Sequence, residues 1–247
     1  MAIKFLFCAG WLITSQVFAA TKMDKIEFIN GVSVQSGKHD STRIYRGFIT
    51  KIFPYGLSSV KFSVMKFQDR CNDSYKKRRK YTDKSTSCKY HNDNLVETIV
   101  VKDINKSGWT KDLNEVDRYV LGRQIYNRGS FGHYELVIVY EGKNTENQKI
   151  ITVTQKMMND EETKKYTKPV FEKDSAFDNA ISTYTLTETG PNETTVTYEY
   201  KAETEHWILN KEVSVPQVFS SISKSINDLV KTMDEQSSLQ SRDIASN

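Results

Sequence analysis

Two residues of the Phe131 to Tyr140 segment bring together side chains able to hold or move a proton. His133 and Glu135 are two positions apart, and in a strand that spacing puts both on one face, together with Val137 and Val139. An imidazole and a carboxylate embedded among valines would orient the polar end of a ligand, or act as a general-base pair. If that face is exterior, they are ordinary surface groups, and an exterior or merely structural place is the favoured expectation. Arg123 follows Tyr119 and Leu121 on one face of the preceding strand. A buried guanidinium there would need Glu135 or a ligand anion as its partner. Tyr200 and Trp207 are candidates to line space beneath the C-terminal helix, although aromatic residues in such places also serve as plain core. These five residues are the candidate ligand-binding set. No catalytic residue is assigned, because the chain has no phosphate-cradling glycine loop, no nucleophile elbow and no histidine pair at metal-helix spacing. No cofactor is required and no metal site is expected.

A second cluster is electrostatic. Lys76, Lys77, Arg78, Arg79 and Lys80 are consecutive and lie between Cys71 and Cys88. Such a patch suits phosphate, anionic lipid or an acidic protein, and a solvated loop surface would have the same composition. The formal net charge of the 247-residue chain is only +4, so a nucleic-acid partner is not expected.

What the cysteines do depends on the first residues. Lys4 supplies a positive start, Phe5 to Ile13 form a short apolar run, and Val17-Phe18-Ala19 ends in the small-residue pattern of a cleavage site. Residues 1–19 are therefore expected to be a signal peptide, its apolar run being too short to span a bilayer, and the mature protein to be soluble and secreted or periplasmic. Cleavage removes Cys8. Cys71 and Cys88 then remain as an even pair in an oxidising compartment, where a disulfide is the simplest expectation and free thiols or a metal site the alternatives. Such a bridge would restrict the unfolded chain by about 3 kcal/mol.

The elements that must position these groups follow from periodicity. Two short β-favouring stretches, Asp24 to Val34 and Arg43 to Phe53, flank the polar segment Gln35 to Thr42. Pro54-Tyr55-Gly56 marks a turn. Val60, Val64, Phe67 and Cys71 then share a helical face, with Ser58 as its expected cap. From Leu95 to Lys201 the β signal dominates: Leu95 to Val101, Tyr119 to Tyr126, Phe131 to Tyr140, Lys149 to Lys156, Ala180 to Thr187 and Thr194 to Lys201. Asn127 to Ser130, Glu141 to Asn144 and Gly190 to Asn192 read as turns, and short connections favour antiparallel pairing. The charged stretch Asn159 to Asp178 has neither period and is expected to be an exposed excursion. Val218, Phe219, Ile222, Ile226, Leu229, Val230 and Met233 form an apolar stripe that predicts an amphipathic helix over Pro216 to Glu235, with Ser214 as its cap. Residues 20–235 are expected to form one domain. The small polar residues 236–247 are expected to be a flexible tail.

An early helix, a run of antiparallel strands and a long C-terminal amphipathic helix resemble the START-like, or helix-grip, superfamily. The segment Trp207 to Pro216, leading from the last strand into the helix, carries the local likeness. The resemblance implies an α+β fold in which a curved antiparallel sheet grips the C-terminal helix, leaving room between them for a lipid or another apolar molecule. The Cys71 to Cys88 segment and the Asn159 to Asp178 stretch are additions to that pattern. Three functions follow as expectations. The first is an exported protein binding a lipid or other apolar small molecule; the alternatives are a secreted protein-interaction module using the basic loop, and an enzyme with acid–base residues in the cavity.

Overall fold

The computed structural model describes residues 23–67, 70–71, 90–91, 95–104, 115–125, 132–168 and 177–245. The signal peptide, Cys88, the Lys76 to Lys80 run and the Asn127 to Ser130 turn lie outside the described residues. So does the side chain of Cys71, and with it the expected disulfide.

Strands β1 (Met23–Ile29), β2 (Val32–His39) and β3 (Thr42–Phe53) lead into helix α1 (Leu57–Met65). Two short strands, β4 (Arg70–Cys71) and β5 (Tyr90–His91), pair in parallel. Then come β6 (Leu95–Asp103), β7 (Glu115–Ile125), β8 (Gly132–Lys143) and β9 (Lys149–Met158). Helix α2 (Asp160–Lys164), β10 (Asn179–Gly190), β11 (Glu193–Thr204) and helix α3 (Val215–Ala245) complete the chain. Nine strands form one open, curved sheet in the order β1-β2-β3-β11-β10-β9-β8-β7-β6, every neighbouring pair antiparallel.

The sheet opens with two tight hairpins, one turning at Asn30-Gly31 inside the expected Asp24 to Val34 stretch and one at Asp40-Ser41 inside the expected polar segment. Asn30 and Gly31 both have positive φ, 50° and 81°, the backbone a two-residue hairpin turn requires and the residue pair that best tolerates it. Asp40 at φ 52° serves the next turn. Between them Val32, Val34 and Ser36 point into the core while Ser33 and Gln35 stay partly exposed, so Gln35 to Thr42 belongs largely to strands.

Helix α1 starts two residues earlier than the expected Ser58 cap implies. Gly56 takes the N-cap position, and its carbonyl accepts from the N–H groups of Ser59 and Val60. The helix stops at Met65, so Cys71 does not extend its face but sits in β4. The charged stretch after β9 is also partly regular. Asn159 Oδ1 accepts from the Glu162 N–H at 2.8 Å while the Glu162 carboxylate accepts from the Asn159 N–H at 3.1 Å, a reciprocal box that starts α2.

Helix α3 lies against α1 and against β1, β2 and β3. Its stripe of Phe219, Ile222, Ile226, Leu229 and Met233 is buried in the same core as Val32, Val34, Tyr45, Val137, Val139, Val153 and Leu186. The seat is close at Gly47 of β3, where an added Cβ would come within 2.6 Å of both Ile222 and Ile226. The helix also runs to Ala245, well past the end of the apolar stripe. Within it Gln236 and Ser237 are buried, and the Ser237 hydroxyl meets that of Ser63 on α1 at 3.1 Å. Small polar residues here fit a narrow helix–helix contact that larger apolar ones would overfill.

Candidate functional site

Antiparallel register places one band of polar residues across the helix-facing side of the sheet. Val137 of β8 pairs with Gln155 of β9, Gln155 with Ser182 of β10, Ser182 with Tyr200 of β11, and Tyr200 with Gly47. His133 and Glu135 continue this face along β8, in the same alternation as Val137 and Val139. The interior reading of the His133 face is therefore the correct one. Gln155, Ser182, His133 and Glu135 are all buried, and the Tyr198 hydroxyl donates to Ser182 Oγ at 3.1 Å.

The pair at the end of this band is a close contact. His133 Nε2 lies 2.9 Å from Glu135 Oε1, and both side chains are only 5% exposed. Two buried groups separated by one residue on a strand would normally splay apart. The short contact shows that the ring and carboxylate turn toward each other rather than outward. His133 Nδ1 is buried and meets no hydrogen-bond partner among the described residues. The imidazole has two hydrogen-bonding nitrogens, and Glu135 engages one. With the proton on Nε2, Nδ1 is a bare acceptor; in the imidazolium it becomes a donor. In either state Nδ1 is a buried polar atom without a partner among the described residues.

The other candidate residues are distributed unevenly. Arg123 of β7 is the register partner of His133, and its side chain lies outside the described residues. Tyr200 is partly buried against the core on the helix-facing side. Trp207 does not line the space beneath α3. It is 67% exposed in the loop between β11 and α3, stacked on His206 at 6.3 Å with the Lys211 ammonium 4.9 Å from its ring centre.

What holds that loop was not anticipated from the sequence. Arg43 of β3 is 3% exposed, and each of its three nitrogens donates a bond. Nε reaches the Asn210 carbonyl at 3.0 Å, Nη1 the Ser36 hydroxyl at 3.1 Å, and Nη2 the Glu212 carboxylate at 2.7 Å. The Tyr45 hydroxyl donates to the Leu209 carbonyl at 2.6 Å. Asn210 Nδ2 donates to the Ser41 carbonyl, and the Ser214 hydroxyl donates to the Ile208 carbonyl at 2.7 Å. Burial pushes the Tyr45 phenol up to about 12; the Arg43 guanidinium opposes this and the Glu212 carboxylate adds to it. The one local signal was an arginine alternating with core residues, Arg43 before Tyr45, in a strand otherwise read only for its apolar positions.

Nine antiparallel strands wrapped on a long C-terminal helix define the START-like, helix-grip fold. Human STARD10 superimposes on the chain with a TM-score of 0.50 at 14% identity, covering 90% of this chain and 78% of that one. A STAR-related lipid transfer protein fragment from Xanthomonas axonopodis aligns at TM-score 0.47 and 12% identity, covering 85% of this chain and 97% of that one. Human StAR-related lipid transfer protein 5 gives TM-score 0.47 and 12% identity, with 85% and 86% coverage. No protein-family profile and no curated protein matches the sequence. Among the described residues no group of histidine, cysteine, aspartate and glutamate side chains is placed to hold a metal ion. No helix among them is long and apolar enough to cross a membrane.

Proposed function

We propose that the chain is an exported binding protein for a lipid or similar apolar molecule carrying one polar end, taken between the sheet and α3. The observation that carries this reading is His133 Nδ1, a buried polar atom without a partner among the described residues, on a face shared by Val137, Val139, Val153 and Leu186 with Gln155 and Ser182. Burying such an atom unpaired costs about 1–3 kcal/mol, which a ligand's polar end would recover. The remaining affinity comes from apolar area taken out of water. Arg123, opposite His133 in the ladder, and Tyr200 are the further residues assigned to the ligand's polar end. The basic run Lys76 to Lys80 serves to hold the protein near anionic membrane, at roughly 1 kcal/mol per cation before screening.

The test is to purify the full chain without detergent and record native mass spectra, followed by titration with a panel of fatty alcohols, fatty acids and phospholipids. A one-to-one adduct and saturable binding are expected. Absence of both contradicts the proposal. The 2.9 Å His133–Glu135 contact also has the form of an acid–base pair, which supports a second, enzymatic reading. Conversion of a bound lipid by the wild-type chain but not by His133→Gln would select it; unchanged ligand recovered from both would dismiss it.

A further inference from the structure

The sheet has two edges, and they differ. The β6 edge is flanked by β4, whereas among the described residues nothing pairs with the outer edge of β1. An unpaired edge offers a row of N–H and C=O groups to another strand. The two-residue turn at Asn30-Gly31 fixes which ones. Such a turn closes on a hydrogen-bonded pair, here Ile29 and Val32, so Glu27 and Lys25 turn their backbone groups toward β2 while Ile26 and Phe28 turn theirs outward. The same two residues carry exposed apolar side chains on the face away from α3, Phe28 at 77% and Ile26 at 62%. Phe28 faces Ser33 of β2, and beyond it Phe48 of β3 is also exposed on this side, so exposed rings stand on either side of Ser33 near the open edge.

We infer that β1 pairs with β1 of a second copy of this chain, antiparallel about a two-fold axis at Ile26. Only registers that put Ile26 or Phe28 in hydrogen-bonded positions match the outward groups, and charge chooses among them. Centring on Lys25 sets two lysines opposite each other, and centring on Glu27 sets two glutamates opposite each other. Centring on Ile26 sets Lys25 against Glu27 of the partner subunit twice, once on each side of the axis. Within one chain Lys25 Nζ already lies 3.0 Å from Glu27 Oε1, so the charges stand on the same face and the dimer joins two such pairs into a ring of four. On the opposite face Ile26 meets its own symmetry mate, and Phe28 falls diagonal to it, within reach of an aromatic ring. The interface is isologous and therefore closes at two copies, which prevents the edge from propagating. Its area is that of one short strand pair, which puts it among the small, transient contacts.

Sedimentation velocity of the full chain from about 1 µM to about 1 mM, together with charge exchange, tests the register. Lys25→Glu alone makes positions 25 and 27 both acidic, and Glu27→Lys alone makes both basic; each is expected to weaken self-association at least about tenfold. Mixing the two variants restores complementary pairs, and a heterodimer of wild-type affinity is expected. That recovery also shows both variants to be folded. The double exchange Lys25→Glu with Glu27→Lys is expected to dimerise like the wild type, and Ile26→Pro, which removes an outward N–H without touching the β2 ladder, is expected to be monomeric. A wild-type chain that stays monomeric throughout overturns the inference. So does a dimer indifferent to the exchanges, or a mixture that fails to recover.

Discussion

Arg43 and His133 are both buried on strands of one sheet, yet their surroundings differ in kind. Arg43 has a bond from each nitrogen, and its partners Asn210 and Glu212 belong to the loop that feeds α3. His133 has Glu135 on one nitrogen and nothing described on the other. The first site spends its hydrogen-bonding capacity on fixing the chain, whereas the second keeps one atom in reserve. Engagement of every Arg43 nitrogen by the chain itself implies a structural role, while the open nitrogen of His133 suits a ligand's polar end.

That contrast breaks most visibly by mutation at the joint. Arg43→Met leaves the Asn210 carbonyl and the Ser36 hydroxyl buried without their donor and is expected to lower stability by about 3 kcal/mol in urea unfolding. A loss under about 1 kcal/mol would mean that the loop is held by apolar packing instead.

Alkaline pH probes the same joint through Tyr45. The phenol is neutral in both states below its ordinary value of 10.0, so its contribution is complete there. Between pH 10.0 and about 12 the unfolded chain ionises while the folded phenol does not, so stability falls with rising pH. The full loss is roughly 2–3 kcal/mol, and Tyr45→Phe is expected to remove that segment of the pH profile. Identical profiles for both chains would show that the phenol does not titrate differently on folding.

At the other site the effect on stability is smaller. Replacing His133 by Gln, which keeps a donor for Glu135, is expected to leave stability within about 1 kcal/mol of the wild type. Lipid affinity is expected to fall about tenfold in the same variant, since the ligand's polar end loses its partner. A loss of stability comparable to Arg43→Met would make the pair structural and erase the distinction. The smallest effect belongs to the far end of α3, where Ser237→Ala is expected to cost about 1 kcal/mol through the Ser63 contact.

Periodicity and turn residues made much of this architecture legible. The strands around His133 and Glu135, the Gly190-Pro191-Asn192 turn and the stripe from Val218 to Met233 all carry strong local patterns, and the structure places elements there. What escaped depends on partners far apart in the chain. Gln236 and Ser237 look like tail residues until α1 is brought beside them, and Arg43 looks like a surface charge until Asn210 and Glu212 fold back over it. Trp207 erred in the other direction, because an aromatic residue near a helix start suggests a lining until the loop's own bonds carry it outward. The Asn159–Glu162 box was readable from residue types alone, but the surrounding charge masked it.

The central claim is that His133 Nδ1 meets the polar end of an apolar ligand. It is tested most directly by nitrogen NMR of the full chain labelled at histidine, recorded as a long-chain alcohol or a fatty acid is added to saturation. The account predicts that the Nδ1 resonance of His133 moves with the binding isotherm while Nε2 keeps its hydrogen bond to Glu135. A ligand that saturates the protein and leaves both His133 resonances in place would contradict it.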